Sequence, residues 1–124
     1  MLMKVIHNNI IPFGYAVYIN LFGIIFTKKK NLTLKPSTKN HEEIHSLQMK
    51  WLLYIFFYIL YFIEWLFKIV PAMFHERGNF GVSQYAYRSI SFEQQAYYNE
   101  KNLDYLKTAN PYEWVKYIFK MYKI

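Results

Sequence analysis

Asn40-His41-Glu42-Glu43-Ile44-His45-Ser46-Leu47-Gln48 is the stretch around which the rest of the chain is organised. On a helix, residues four apart share one face, so His41 and His45 present two imidazoles to a single point. Glu42 follows the first histidine directly and stands beside that point. In this H-E-x-x-H order two histidines can hold a zinc ion while the carboxylate takes a proton from zinc-bound water. The bland alternative is a solvated helical turn rich in His and Glu. Neither Gly nor Pro occurs from Ser37 to Val70, so one long helix is predicted over 37–70, closed by Pro71. Asn40 with Glu43 makes a capping box for its start, and Ser37 or Thr38 offers a cap one turn earlier.

Beyond the motif, His41, His45, Gln48, Leu52, Ile55 and Ile59 recur at helical spacing, so the metal face is expected to run into a buried stripe. Trp51 to Ile63 carries no charge. That run falls short of the roughly 20 residues a spanning helix needs, which favours a buried or interfacial helix. Glu64 and Lys68 are four apart in the favourable order and are expected on a solvated stripe.

Phe74 to Gln84, with Gly78 and Gly81, reads as a loop, and His75 within it is a minor candidate for touching substrate or metal. Ser91 with Gln94 forms a second capping box, predicting a helix in 91–108 with Glu93 in its first turn. An acidic residue is favoured there for electrostatic reasons alone. The gap from His45 to Glu93 leaves room for two antiparallel helices that bring Glu93 beside the histidines. Asn110-Pro111-Tyr112-Glu113 opens a third helix, over 110–123. There Lys116, Lys120 and Lys123 lie opposite Trp114, Tyr117, Ile118 and Met121, the pattern of a helix lying at a membrane surface.

Towards the N-terminus, Ile10 to Phe26 is almost free of charge but is interrupted by Pro12, Gly14, Asn20 and Gly23. The weakly basic start and the lack of an A-x-A-like site argue against a signal peptide. Tyr15, Val17, Tyr18, Ile19, Phe22, Ile24, Ile25 and Phe26 favour strands, so a β-hairpin turning at Asn20–Gly23 is predicted within region 1–30. Its edge strand is suited to hold an extended peptide by backbone hydrogen bonds. Lys28 to Asn40 reads as a basic linker.

At 124 residues the chain is expected to form a single domain over 1–124. It is 54% hydrophobic, with 13 Tyr and 11 Phe, more apolar surface than a small globule readily hides. The net charge of +7 favours an anionic surface. No nucleic-acid motif accompanies it, so lipid is the expected partner, with peripheral association at the cytoplasmic side of a membrane. Without cysteine, any metal must use His and carboxylate ligands.

Several stretches together resemble a family of small bacterial zincin-like proteins: Ile11-Pro12-Phe13, Asn20-Leu21-Phe22-Gly23, Asn40 to His45 with Gln48, Tyr58, Tyr61 to Trp65, and Ala86-Tyr87-Arg88-Ser89-Ile90-Ser91-Phe92-Glu93. More distantly the chain is similar to membrane-associated peptidases of the gluzincin type, matching at His41, Glu42, His45 and Glu93. In such proteins the third ligand commonly lies in an E-x-x-A-D pattern. Glu93 and Ala96 fit it, while Tyr97 replaces the aspartate and leaves open what orients the metal-bound imidazoles. The resemblance implies a minimal zincin-like domain of α+β, mostly helical class, with zinc on His41, His45 and Glu93 and Glu42 as general base. The expected activity is hydrolysis of a peptide or protein substrate. Tyr87 and Arg88, just before the ligand helix, are candidates for stabilising the oxyanion from position, and His75 is a weaker one. Two alternatives stand beside this: a zinc-binding protein that does not cleave, and a small integral membrane protein with spans near 10–26 and 51–70.

Overall fold

The computed structural model describes residues 3–14 and 16–124; the predicted strand residue Tyr15 lies outside them. The fold is α+β and roughly half helical. Three short strands, β1 (Lys4–His7), β2 (Tyr18–Leu21) and β3 (Ile24–Thr27), form one sheet in the order β1-β3-β2. β2 and β3 are the predicted hairpin, antiparallel with Tyr18 opposite Thr27 and Leu21 opposite Ile24. Phe22 and Gly23 at its tip both have positive φ, the twist that two-residue hairpin turns require. A Cβ on Gly23 would only touch Ser46 Oγ at 3.5 Å, so the positive φ and not the approach to the H-E-x-x-H helix calls for glycine. β1 pairs parallel with β3, an added strand that the mixed first nine residues do not announce. The hairpin replaces any membrane span at 10–26.

The single helix expected over 37–70 is two helices, α1 (Pro36–Trp51) and α2 (Ile55–Phe74). Leu53 and Tyr54 break it, both in the left-handed region at φ 53° and 61°. Such residues cost about 1–3 kcal/mol each, so packing must offset them. The break swings Phe57 into a core with Met49, Ile90 and Phe92, where its burial contributes on the order of 1.5–3 kcal/mol. It also turns Ile55 and Ile59 outward, against the expected continuous buried stripe. α1 starts at Pro36, preset for the first helical position, so Asn40 is no cap here. Pro71 lies inside α2, which continues to Phe74, where Arg77 donates to the free carbonyls of Ala72 and Met73.

Part of the expected 74–84 loop belongs to α3 (Val82–Arg88), and α4 runs over Ser91–Asn99. Ser91 is not the cap of α4. Its backbone N and its Oγ each donate to the Glu64 carboxylate at 2.6 Å, which places an anion at the helix N-terminus. Glu64 and its partner Lys68 are therefore not a solvated stripe. Lys68 is buried, 3.4 Å from Glu64, and its Nζ donates to the carbonyls of Ser89 and Lys120 at 2.6 Å. α4 stops well short of 108 because Asn40 Nδ2 captures the carbonyls of Asn99, Glu100 and Asn102. The predicted amphipathic helix over 110–123 is only a 3-10 turn, Glu113–Tyr117, followed by irregular chain. Its backbone makes only short-range bonds of its own, such as Lys120 N to Tyr117 O, and side chains from elsewhere take up much of the rest. Gln94 donates to Lys120 O, Tyr85 to Tyr122 O, while Ser89 Oγ accepts from Tyr122 N and Tyr98 Oη from Lys123 N.

Candidate metal centre

α1 and α4 pack side by side over Ile44 and Ala96, both fully buried, which sets His41 and His45 against Glu93. The sequence-predicted ligands thus meet. His41 Nε2 lies 3.2 Å from Glu93 Oε1, His45 Nε2 lies 3.1 Å from Glu93 Oε2, and the two Nε2 atoms are 3.1 Å apart. Tetrahedral ligands about 2.0–2.1 Å from zinc are separated by roughly 3.3–3.4 Å, so the three groups are already near a common coordination sphere. All three residues are buried.

The protons on the imidazoles can be placed from their other neighbours. His45 Nδ1 is 2.8 Å from Gln48 Oε1, and the Gln48 amide is fixed by donating to Phe92 O at 3.0 Å and Gln95 Oε1 at 2.9 Å. His41 Nδ1 is 3.3 Å from Glu100 Oε1. Both acceptors call for an N–H on Nδ1, which leaves the Nε2 lone pairs facing each other and the Glu93 carboxylate. Such a convergence of acceptors is satisfied by a shared proton or by a metal ion, and a donor set of two imidazoles and one carboxylate could hold zinc. Gln48 and Glu100 also answer the question raised by Tyr97: they orient the imidazoles, while the Tyr97 ring packs edge-on against His41 at 4.4 Å. Glu100 sits seven residues after Glu93, two turns on along one face, a spacing visible in the sequence.

Around this group stand two phenols, Tyr87, a candidate from its position in sequence, and Tyr61, to which the sequence assigns no role. Tyr61 donates to Glu93 Oε2 at 2.5 Å. Burial first, and then the charge of Glu93, push the Tyr61 and Tyr87 hydroxyls well above their usual range, so both remain donors. Glu93 itself is held below the usual carboxylate range: burial opposes this, but His45 and then His41 outweigh it.

Glu42, the residue beside the first ligand, is buried and gripped by β2. Tyr18 Oη donates to its Oε2 at 3.0 Å and Asn20 Nδ2 to its Oε1 at 3.2 Å. Tyr18 and Asn20 are two apart and so share a face of the strand. Glu42, His45, Glu93 and Tyr87 line one cavity of about 420 Å³, whose other walls include Ile19 and Leu21 of the edge strand and Met49, Phe57 and Tyr58. Arg88 is not on that wall. Its guanidinium lies over the rings of Tyr97, Tyr122 and Phe80 at 3.9, 4.8 and 5.3 Å, and Tyr97 in turn packs on His41. His75 stacks on Tyr85 and lines a separate depression, away from the histidine pair. No protein-family profile, curated protein sequence or solved structure matches the chain.

Proposed function

We propose that this chain is a minimal gluzincin-like hydrolase that binds one zinc ion through His41, His45 and Glu93 and cleaves peptide bonds. The observation that carries the reading is the meeting of three buried ligand atoms with Glu42 on a cavity walled by an edge strand. A zinc ion held there would supply a bound water with a pKa near about 7 and would polarise the scissile carbonyl. Glu42 takes the proton of the attacking water and passes it to the leaving amine. Its two oxygens already accept from Tyr18 and Asn20, yet a carboxylate has about four acceptor positions, so the water proton still has a place. Tyr87, still protonated, donates to the carbonyl oxygen as negative charge develops. The β2 edge holds the peptide backbone, and the Ile19, Leu21, Met49 and Phe57 walls take an apolar side chain.

Glu42→Gln separates binding from catalysis. Zinc content stays near wild type because the residue is no ligand, and the fold is kept because a glutamine side chain can still pair with Tyr18 and Asn20. Cleavage of a peptide library falls by about 10²-fold or more, the usual scale for losing a general base. Equal rates in the two proteins would remove Glu42 from the mechanism. A second reading, zinc held without turnover, is favoured by the grip of Tyr18 and Asn20 on Glu42. Fully zinc-loaded wild type that cleaves nothing across a broad library would establish it.

A further inference from the structure

α2 has two unlike faces. Phe57, Tyr61, Glu64, Trp65, Lys68 and Ala72 point into the protein, and both charges of the helix are among them. The opposite arc carries Ile59, Phe62, Ile63, Leu66, Phe67 and Val70, all exposed, with Phe67 at 74%. No charged side chain interrupts this arc over the 20 residues of the helix. Phe119, 98% exposed, extends the patch across a groove that the chain near the C-terminus forms with Leu60, Ile63 and Phe67. Exposed lysines stand near it in sequence: Lys50 with Trp51 precedes α2, and Lys116 and Lys120 flank Phe119.

We propose that this outer arc of α2, together with Phe119, docks in the plane of a bilayer bearing anionic lipid headgroups. A continuous apolar arc offers no side-chain donor or acceptor to a protein partner, whereas hydrocarbon asks for none. The exposed lysines next to Trp51 and Phe119 in sequence and the net charge of +7 complement anionic headgroups. By length and composition α2 is able to cross a membrane. The elements on its inner arc fit an in-plane placement instead: α3 and α4 have seven and nine residues, too short to cross with it, and buried Ser89, Ser91 and Glu93 bond to its inner face. The surface thus differs from the lysine-striped terminal helix expected from sequence. The docking does not depend on the zinc reading.

The test is flotation of the full chain with vesicles of phosphatidylcholine alone or mixed with phosphatidylglycerol, with sedimentation to follow oligomeric state. Wild type floats with the anionic vesicles and binds neutral ones at least about tenfold more weakly, the difference shrinking with salt. Phe67→Asp/Phe119→Asp abolishes flotation with circular dichroism unchanged, since both side chains are exposed. Lys116→Gln/Lys120→Gln lowers binding about tenfold or more at low salt. Wild type gives a readout without any variant: brominated acyl chains quench its tryptophan fluorescence, and carbonate releases it from the vesicles. Absence of flotation, an aspartate pair that floats like wild type, or retention after carbonate would overturn the placement. So would a dimer that the aspartate pair dissociates in a protein that ignores vesicles.

Discussion

α1 and α2 lie next to each other in sequence and treat water in opposite ways. α1 buries Asn40, His41, Glu42, His45, Ser46 and Gln48, while α2 buries only Phe57, Lys68 and Ala72 of its 20 residues. Burial in this protein follows the availability of partners more than hydrophobicity. Each buried polar side chain of α1 meets a donor or acceptor, Ser46 on α1 itself and the others on β2, α4 or the turn after α4, so its desolvation is compensated. The apolar outer arc of α2 has nothing in the chain to meet. Where α2 does carry charge, the charge goes inside and is paired.

The strongest way to break this contrast is to remove a polar partner from the interior. Lys68→Ala leaves Glu64 without its cation and strips donors from the carbonyls of Ser89, Tyr117 and Lys120. A loss of about 3–5 kcal/mol in denaturant unfolding is expected, the scale for breaking a buried pair from one side. Replacing both, as Glu64→Gln/Lys68→Met, should cost less than the single change. Additive losses would show that the pair is not the unit.

Gln48→Ala comes next, because its amide joins His45 to α4. About 1–3 kcal/mol of stability should go, with zinc affinity falling about 10- to 100-fold as His45 loses its acceptor. Unchanged zinc affinity by competition with a chelator would mean that the orienting contact is idle.

A pH experiment sharpens the comparison at the centre itself. In the metal-free chain burial acts to lower the His45 pKa, but Glu93, with Glu42 and Gln48, raises it to about 9 from 6.5. A raised histidine pKa contributes stability that is complete below about 6.5 and is lost as pH rises through about 9. The melting temperature of chelated protein should therefore fall across that window. Zinc-loaded protein should not show the fall, since zinc takes the place of the proton, and zinc uptake below about pH 9 should release one. Parallel profiles for the two forms would deny that metal and proton compete for His45.

The smallest effect belongs to the outer arc of α2. Phe67→Ser should change stability by less than about 0.5 kcal/mol, in contrast with any interior change. A loss above about 2 kcal/mol would mean that the arc is packed in the folded chain after all.

What could be read in the sequence is what local spacing controls. The i, i+4 histidines, the β2–β3 hairpin and the meeting of Glu93 with the histidine pair all follow from periodicity, turn chemistry or motif. The failures share one cause, a side chain from elsewhere taking over backbone groups that local rules assign to the segment itself. Asn40 is a reasonable helix cap by sequence, yet it closes the far end of α4. Ser91 likewise loses its capping role to Glu64, and the chain after Tyr117 is held by Lys68, Gln94 and Ser89 in place of helical hydrogen bonds. The break at Leu53–Tyr54 has no Gly or Pro to announce it, because the packing of Phe57 decides it. Tyr18 was legible as a strand residue, but Asn20 reads as part of the turn, and neither its place on β2 nor the common target of the two side chains, Glu42, could be seen.

Zinc stoichiometry after equilibrium dialysis against buffered zinc decides whether His41, His45 and Glu93 form one zinc site. Wild type should hold one zinc per chain by elemental analysis, the His41→Ala/His45→Ala double variant none, and Glu93→Gln should bind more weakly at the same free zinc. X-ray absorption on the wild type should report a first shell of nitrogen and oxygen only, as a chain without cysteine requires. Full zinc occupancy in the double variant, or none in a folded wild type at micromolar free zinc, would contradict the site.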